Sequence, residues 1–422
     1  MKMRFPLLFL FLTSSALAAE TPLKNVKVSG WGFFRYENKK DADYDSSVKD
    51  KTDFTQTRIN VQLKADLAEN YGHIFFAPQF SKISGQDDFA ATGVNNTRTS
   101  TSGSLSDPRL DMHEAYFAIR PTKDERFYVY LGRQELNYGD HLVLGSVPWH
   151  RIGRSFDGVR AKYQINDALT LDAFSMKLQE NNSAANDLRG QDANLHGVYL
   201  AGSLNQYMEN ADLYFLRKDN QKAGSFRDTN AFGVRLKSKM GKTAFDYRVE
   251  ATLEQVRLAG ESSMRKSEYQ YDIELGWNLP FYKTRVAFEY FDSSRDYDQL
   301  FPTAHKWLGF ADQFSRRNLK GYVGHLSTSP IEKVTFIADY HIFQRHDSKR
   351  GAFNFGGASL GDADSKQDVA HELDLVIAYD FTKTLQLSYG YSIVMPGKYI
   401  KDQNSSKTTD TNWSYLQLLA RF

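Results

Sequence analysis

The stretch Ile59-Asn60-Val61-Gln62-Leu63-Lys64-Ala65-Asp66-Leu67 decides the fold, because every odd position is apolar and every even position polar. Successive side chains of an extended chain point to opposite faces, so this is a strand with one greasy face and one wet face. The pattern recurs toward the C-terminus. Phe232, Val234 and Leu236 alternate with Arg235 and Lys237, Tyr271, Ile273 and Leu275 with Asp272 and Glu274, and Leu373, Leu375 and Ile377 with Glu372 and Asp374. Each run is about the 9 to 11 residues that a tilted strand needs to cross a bilayer.

Eighteen such strands can be placed, at 26–36, 55–67, 71–83, 110–120, 127–137, 155–164, 169–178, 194–202, 208–218, 228–240, 242–258, 267–279, 283–293, 318–327, 334–344, 368–380, 385–394 and 411–422. The connections at 68–70, 165–168, 203–207, 280–282 and 381–384 are tight. Those at 37–54, 84–109, 138–154, 294–317 and 345–367 are long and polar, so short and long alternate without exception. The predicted fold class is an all-β transmembrane antiparallel barrel with short periplasmic turns and long extracellular loops. Unpaired strand edges cannot face lipid, so the first and last strands should pair and close the barrel. A lumen of this strand number is too wide for wall side chains to fill; water or inward-folded loops occupy it, with 84–109 and 138–154 the candidates. Pro78, inside a strand, predicts a bulge.

The first residues agree with an exported chain. Lys2 and Arg4 precede an apolar run from Phe5 to Leu12 and the small residues Ala16-Leu17-Ala18-Ala19, the order of a secretory signal. We expect a signal peptide at 1–19 and one barrel domain at 20–422, in the outer membrane of a Gram-negative-type cell. No run approaches the roughly 20 apolar residues of a membrane helix. A mean hydropathy of −0.54 would suit a soluble protein, but 24 Tyr and 30 Phe are heavy for one and suit a barrel with a wet inside. The absence of cysteine excludes disulfides, thiolate chemistry and a lipobox anchor. A net charge of +2 with scattered basic residues gives no reason to expect nucleic acid. Trp413, Tyr415, Leu416, Leu418 and the terminal Phe422 resemble the signature that barrels present to their insertion machinery. Lipid and lipopolysaccharide are the expected surroundings, and a monomer the expected state.

Phasing each strand by its apolar face places Arg35, Arg58, Lys64, Glu114, Arg133, Arg160, Lys162, Arg235, Lys237, Asp246, Arg248, Glu250, Asp272, Glu274, Arg285, Glu289, Asp339, Glu372 and Asp374 inward. An Arg or Lys at the bilayer midplane would cost roughly 2 to 4 kcal/mol on the lipid side, which favours the inward choice for mid-strand positions. Such charges either line a selectivity path or pair with one another and stiffen a wet interior. Strands from 267 to 380 contribute mostly acids and strands one, two, five and six mostly bases, which predicts a field across the pore.

The stretch Gly132-Arg133-Gln134-Glu135-Leu136-Asn137-Tyr138-Gly139-Asp140, with Trp149 and then Gly153-Arg154-Ser155-Phe156-Asp157-Gly158-Val159-Arg160, resembles the alginate-export family of outer-membrane barrels. The resemblance implies an eighteen-stranded channel whose arginine-rich lumen passes an anionic polysaccharide or other small anionic or polar solutes. It implies roles for Arg133, Arg154 and Arg160, with Glu135 and Asp157 as ion-pair partners. The residues alone allow a second account: the glycines permit bends and close approach where a loop folds inward, Tyr138-Gly139-Asp140 reads as a turn, and Arg154 and Asp157 clamp the loop to the wall. An inward set of mixed sign, and no long periplasmic turn to plug the pore, favour a solute class broader than alginate.

Asp87-Asp88, Asp362, Asp364 and Asp368 in or beside outer loops could bind Ca²⁺; no other cofactor is expected. His141 and His150 lack zinc-site spacing, and no G-x-S-x-G occurs. The expectation is therefore a channel for anionic or polar solutes and not an enzyme, with a general diffusion porin or an outer-membrane hydrolase as the alternatives.

Overall fold

Period-two patterning becomes one eighteen-stranded antiparallel sheet that closes on itself. In chain order the strands are β1 (Leu23–Lys40), β2 (Thr52–Leu67), β3 (Gly72–Ser84), β4 (Arg109–Ile119), β5 (Phe127–Gln134) and β6 (Phe156–Gln164). Then come β7 (Leu169–Gln179), β8 (Ala193–Gly202), β9 (Asn210–Asn220), β10 (Phe226–Lys239), β11 (Phe245–Leu258) and β12 (Lys266–Asn278). The last six are β13 (Arg285–Ser293), β14 (Leu319–Thr328), β15 (Val334–Arg345), β16 (Asp368–Asp380), β17 (Leu385–Pro396) and β18 (Thr411–Arg421), with a short helix α1 (Lys398–Asn404) before the last. The computed structural model describes residues 23–47, 50–67, 70–84, 109–122, 124–179, 193–220, 226–258, 266–362, 366–404 and 408–422. The leader expected at 1–19, most of the loop at 84–109, and Asp87, Asp88 and Asp364 lie outside them.

All eighteen expected strands are present, and β1 pairs with β2 on one side and β18 on the other, for example Gly30 with Val61 and Trp31 with Arg421. The predicted irregularity at Pro78 is a register shift between Ala77 and Pro78 against β4. The fold is inside-out relative to a soluble protein: Leu253 is 66% and Phe117 56% exposed on the outer face, while Arg35, Arg58 and Asp272 are at most 1% exposed inside. That is the distribution expected when lipid replaces water outside.

Two expectations need correction. Short and long connections do not alternate without exception: 221–225 and 259–265, at the loop-bearing rim, are as short as the turns at the opposite, periplasmic rim. The long connections are also not simply polar outer loops. The hydrophobic core lies inside the barrel, where Leu142, Val143 and Leu144 from one connection and Trp307, Leu308 and Phe314 from another pack against wall residues such as Phe174, Leu216, Phe291 and Phe343. Each such side chain contributes about 1.5–3 kcal/mol on leaving water, enough to draw both loops into the lumen.

Candidate functional site: a lumen crossed by two loops

Past the end of β5 the chain turns into the lumen. Tyr138 stacks on Tyr199 of β8 at 4.4 Å and on Phe174 of β7 at 5.6 Å. Gly139 follows with φ +56°, and a Cβ there would meet the Arg235 side chain at 2.8 Å, so this tight approach to β10 requires glycine. Asp140 then accepts hydrogen bonds from Arg235 Nη2 at 2.6 Å and Lys237 Nζ at 2.8 Å, with Lys306 at 3.8 Å. Burial pushes the Asp140 carboxyl up, but bonds from Lys237 and Arg235 outweigh it and hold it below the ordinary carboxylate value.

The far end of the same loop reaches the opposite wall. Arg35 of β1 donates from both Nη atoms to the Trp149 carbonyl at 3.1 Å. Arg58 of β2 donates to the His150 carbonyl at 2.8 Å, and Gln79 of β3 to that of Ile152 at 2.8 Å. The Trp149 ring lies between the Arg35 guanidinium, 3.7 Å from its centroid, and His305, 4.4 Å away and stacked. Since β1 and β10 stand nine strands apart in a ring of eighteen, the loop is a crossbar over the full diameter.

A second connection, between β13 and β14, joins the first. Leu144 and Phe301 form a parallel bridge. Arg154 Nη1 donates to the carbonyls of Gly145, Phe301 and Pro302 at 3.0, 2.5 and 3.1 Å. Burial among these groups lowers the Arg154 guanidinium to about 10. On β16, Glu372 accepts the Ala311 N–H at 2.9 Å and Asp374 the Phe310 N–H at 3.2 Å.

The two joined loops separate two chambers. One, of about 650 Å³ toward the loop-bearing rim, is lined by Lys39, Asp43, Asp50 and Asp312 among others. The other, of about 560 Å³ toward the tight turns, is lined by Lys237, Arg248, Glu274, Arg285, Lys306 and Asp339 with Trp307 and Phe310.

Most of the expected lumen charges point inward and many are ion-paired, while Arg58, Glu114 and Glu372 bond backbone or neutral groups instead. Arg248 contacts Asp272, Glu289 and Glu274 at 2.7, 2.8 and 3.0 Å. Arg285 contacts Asp246 and Glu274, both at 2.5 Å, and Asp339 meets His325 at 2.8 Å. Arg160 lies 4.1 Å from the Tyr130 ring and 3.9 Å from Asp172, while Lys162 faces the lumen opposite Tyr128. Glu135, just past β5, meets His113 at 2.7 Å. The expected acidic wall is thus offset by Arg248 and by Arg316, which reaches from the second loop to Asp272.

Arg133 and Asp157 are placed differently from expectation. They are register partners on the face that carries Leu131 and Val159, 39% and 46% exposed. They pair with each other at 2.5 Å on the outside of the wall near its loop-bearing rim. Sequence reasoning missed Arg316, Trp307, and the tie of Asp140 to Arg235. The apolar positions Trp307, Leu308, Phe310 and Phe314 within a nominally polar loop were the available signal.

Glu274, Glu289 and His325 bring three ligand atoms within 4.8 Å of one another. Arg248 already donates into both carboxylates and Arg285 into that of Glu274, so this is an ion-paired cluster rather than a vacant cation cage.

A family model described as alginate export matches residues 34–414. Among solved structures, Acinetobacter baumannii OccAB4 is similar with a TM-score of 0.65 at 12% identity, covering 95% of this chain and 99% of that one. Pseudomonas aeruginosa OccK5 (OpdH) is similar with a TM-score of 0.63 at 10% identity, covering 94% and 98%. No curated protein matches the chain.

Proposed function

Because this chain belongs to the alginate-export family and is an outer-membrane β-barrel channel, we propose that it passes small polar solutes, anions among them, rather than a polymer strand. The observation that carries this reading is the crossbar. A loop tied to Arg35 and Arg58 on one wall and to Arg235 on the other, and welded to a second loop through Arg154, leaves no single wide passage among the described residues. Solutes move past its flanks, where wall and loop charges exchange partners with the solute. A preference for anions is supported by Lys237 and Lys306, both about half exposed while sharing one carboxylate, Asp140. On this reading the barrel acts as a monomer, seated in lipid and lipopolysaccharide and delivered to the insertion machinery through β18, and catalyses no reaction.

Planar-bilayer conductance and liposome swelling with solutes graded by size and charge test the proposal. Swelling with small sugars and organic acids but not with alginate oligomers is expected. Ready passage of oligomers sinks the reading in favour of polymer export, and equal permeation of cations and anions favours a general diffusion porin.

A further inference from the structure

We propose that the inner wall of β3–β6, in the half nearer the tight turns, is a binding site for a small carboxylate that carries a flat ring. Phe75 and Tyr116 stack there at 5.2 Å and 22°, Tyr116 and Tyr130 lie 5.6 Å apart, and Tyr128 follows at 6.1 Å from Tyr130. Register shows that these rings face the lumen: Phe75 is opposite Tyr116, and Tyr130 is opposite inward-pointing Arg160. Their sequence neighbours Phe76 and Phe117, 43% and 56% exposed, occupy the lipid face.

Aromatic residues in barrels of this kind gather outside, in girdles at the two membrane interfaces. A contiguous patch of four rings on the wet side, all half-buried, leaves apolar faces toward water that a passing ring would cover. Among the described residues, no hydrogen bond or ring contact joins the crossbar to these four rings, although its Tyr138 reaches Arg160 beside them.

Cations border the patch. Arg160 stands 4.1 Å from the Tyr130 centroid and Arg120 4.9 Å from that of Tyr128. Lys162 is opposite Tyr128, and Lys64 is opposite Phe75 on the same face. Arg160 and Lys162 share one carboxylate, Asp172, which contacts Arg160 only at 3.9 Å and leaves the guanidinium able to take a second acid. A ring laid on Tyr116 and Tyr130 would bring a carboxylate substituent to Arg160. Such a ligand is an aromatic acid, whose flat ring can lie against the tyrosine faces. The inference rests on the channel reading only in that solutes must reach the lumen.

The test uses the full-length protein in detergent for calorimetry and in planar bilayers for current, with benzoate, galacturonate and ring-free acetate. We expect benzoate to bind and interrupt the current, and galacturonate, whose ring is a chair, and acetate to do neither; equal binding of benzoate and galacturonate overturns the aromatic reading. Replacing Tyr116 and Tyr130 together by Ala should weaken binding roughly tenfold, whereas Tyr130→Phe should retain it. Should the double variant fail to fold, Tyr130→Leu, which keeps bulk without a flat face, carries the same expectation. Equal binding of benzoate and acetate, or unchanged binding after these substitutions, overturns the site. Conductance without benzoate binding removes the site and leaves the channel; calorimetric binding without conductance does the reverse.

Discussion

Arg35 grips Trp149 twice, through two hydrogen bonds of 3.1 Å to its carbonyl and by lying 3.7 Å from the centroid of its ring. The guanidinium is 1% exposed and also meets Glu37 at 2.6 Å, so one buried cation ties β1 to the crossbar. Arg35→Ala leaves Glu37 buried without its cation and loosens the loop at Trp149, although Arg58 and Gln79 still hold its neighbours, which should cost about 3 kcal/mol. Thermal unfolding in detergent reads the loss, and single-channel conductance should rise. Lys in its place keeps the charge but not the fork, and should recover only part of both. An unchanged conductance for Arg35→Ala would show that the loop is held without this contact.

Asp140 gives the crossbar a pH dependence with a definite sign. Its folded-state carboxyl sits below the ordinary value of 3.8, despite burial, because Lys237 and Arg235 bond to it. A depressed carboxylate contributes stability that is complete above the ordinary value and is lost as pH falls below it. At pH 3 the carboxyl, held well below its ordinary value, is still ionised in the folded protein, so this end of the loop should stay tied, whereas Asp140→Asn leaves Arg235, Lys237 and Lys306 without their counter-charge at any pH. Reversal potentials in a salt gradient should therefore lie further toward anions for Asp140→Asn than for wild type at pH 7 and still at pH 3. Identical potentials for wild type and variant at both values would refute the tie.

What the sequence made legible is the part governed by local alternation. Runs such as Ile59 to Leu67 carry their own phase, and the eighteen strands follow from it. β5 does not: Phe127, Val129 and Leu131 face lipid while Tyr128 and Tyr130 face the lumen, so both faces read as apolar and the side on which Arg133 falls is hidden. The crossbar was illegible for another reason. Arg35 and Trp149 are 114 residues apart, and Asp140 and Arg235 are 95 apart, pairings that only the closed ring brings together. Family resemblance singled out the segment that forms the crossbar, but Arg154 and Asp140 bind the protein itself, and the resemblance could not say so.

Barrel closure rests on Gly30. Its N–H donates to the Phe422 carbonyl at 2.8 Å, and its carbonyl accepts the Phe422 N–H at 2.9 Å. A Cβ on Gly30 would clash with the edge of the Phe422 ring and lie 2.6 Å from the Asn60 carbonyl oxygen, so the Phe422 ring seats over a glycine at the seam. Gly30→Leu should displace the ring and slow closure more than Phe422→Ala, which keeps the backbone pair. The rate at which the heat-modifiable folded band appears in vesicles distinguishes them. Equal rates for Gly30→Leu and wild type would mean that the seam closes without this seat.

The outward placement of Arg133 separates it from Arg160, although both belong to the same sequence motif. Arg133 and Asp157, 38% and 58% exposed, form a pair on the outer face of the wall, away from the lumen. Arg160 stands inside, stacked on Tyr130. Arg133→Gln should leave ion selectivity at the wild-type value, its effect falling on thermal stability instead, because Asp157 loses its partner on the outer face. Arg160→Gln removes a lumen cation and should move the reversal potential toward cations. A selectivity change from Arg133→Gln as large as that from Arg160→Gln would put Arg133 back on the pore wall and overturn the phase of β5, since a guanidinium on the lipid side cannot act on an ion inside except through a wall of low dielectric and at reduced strength.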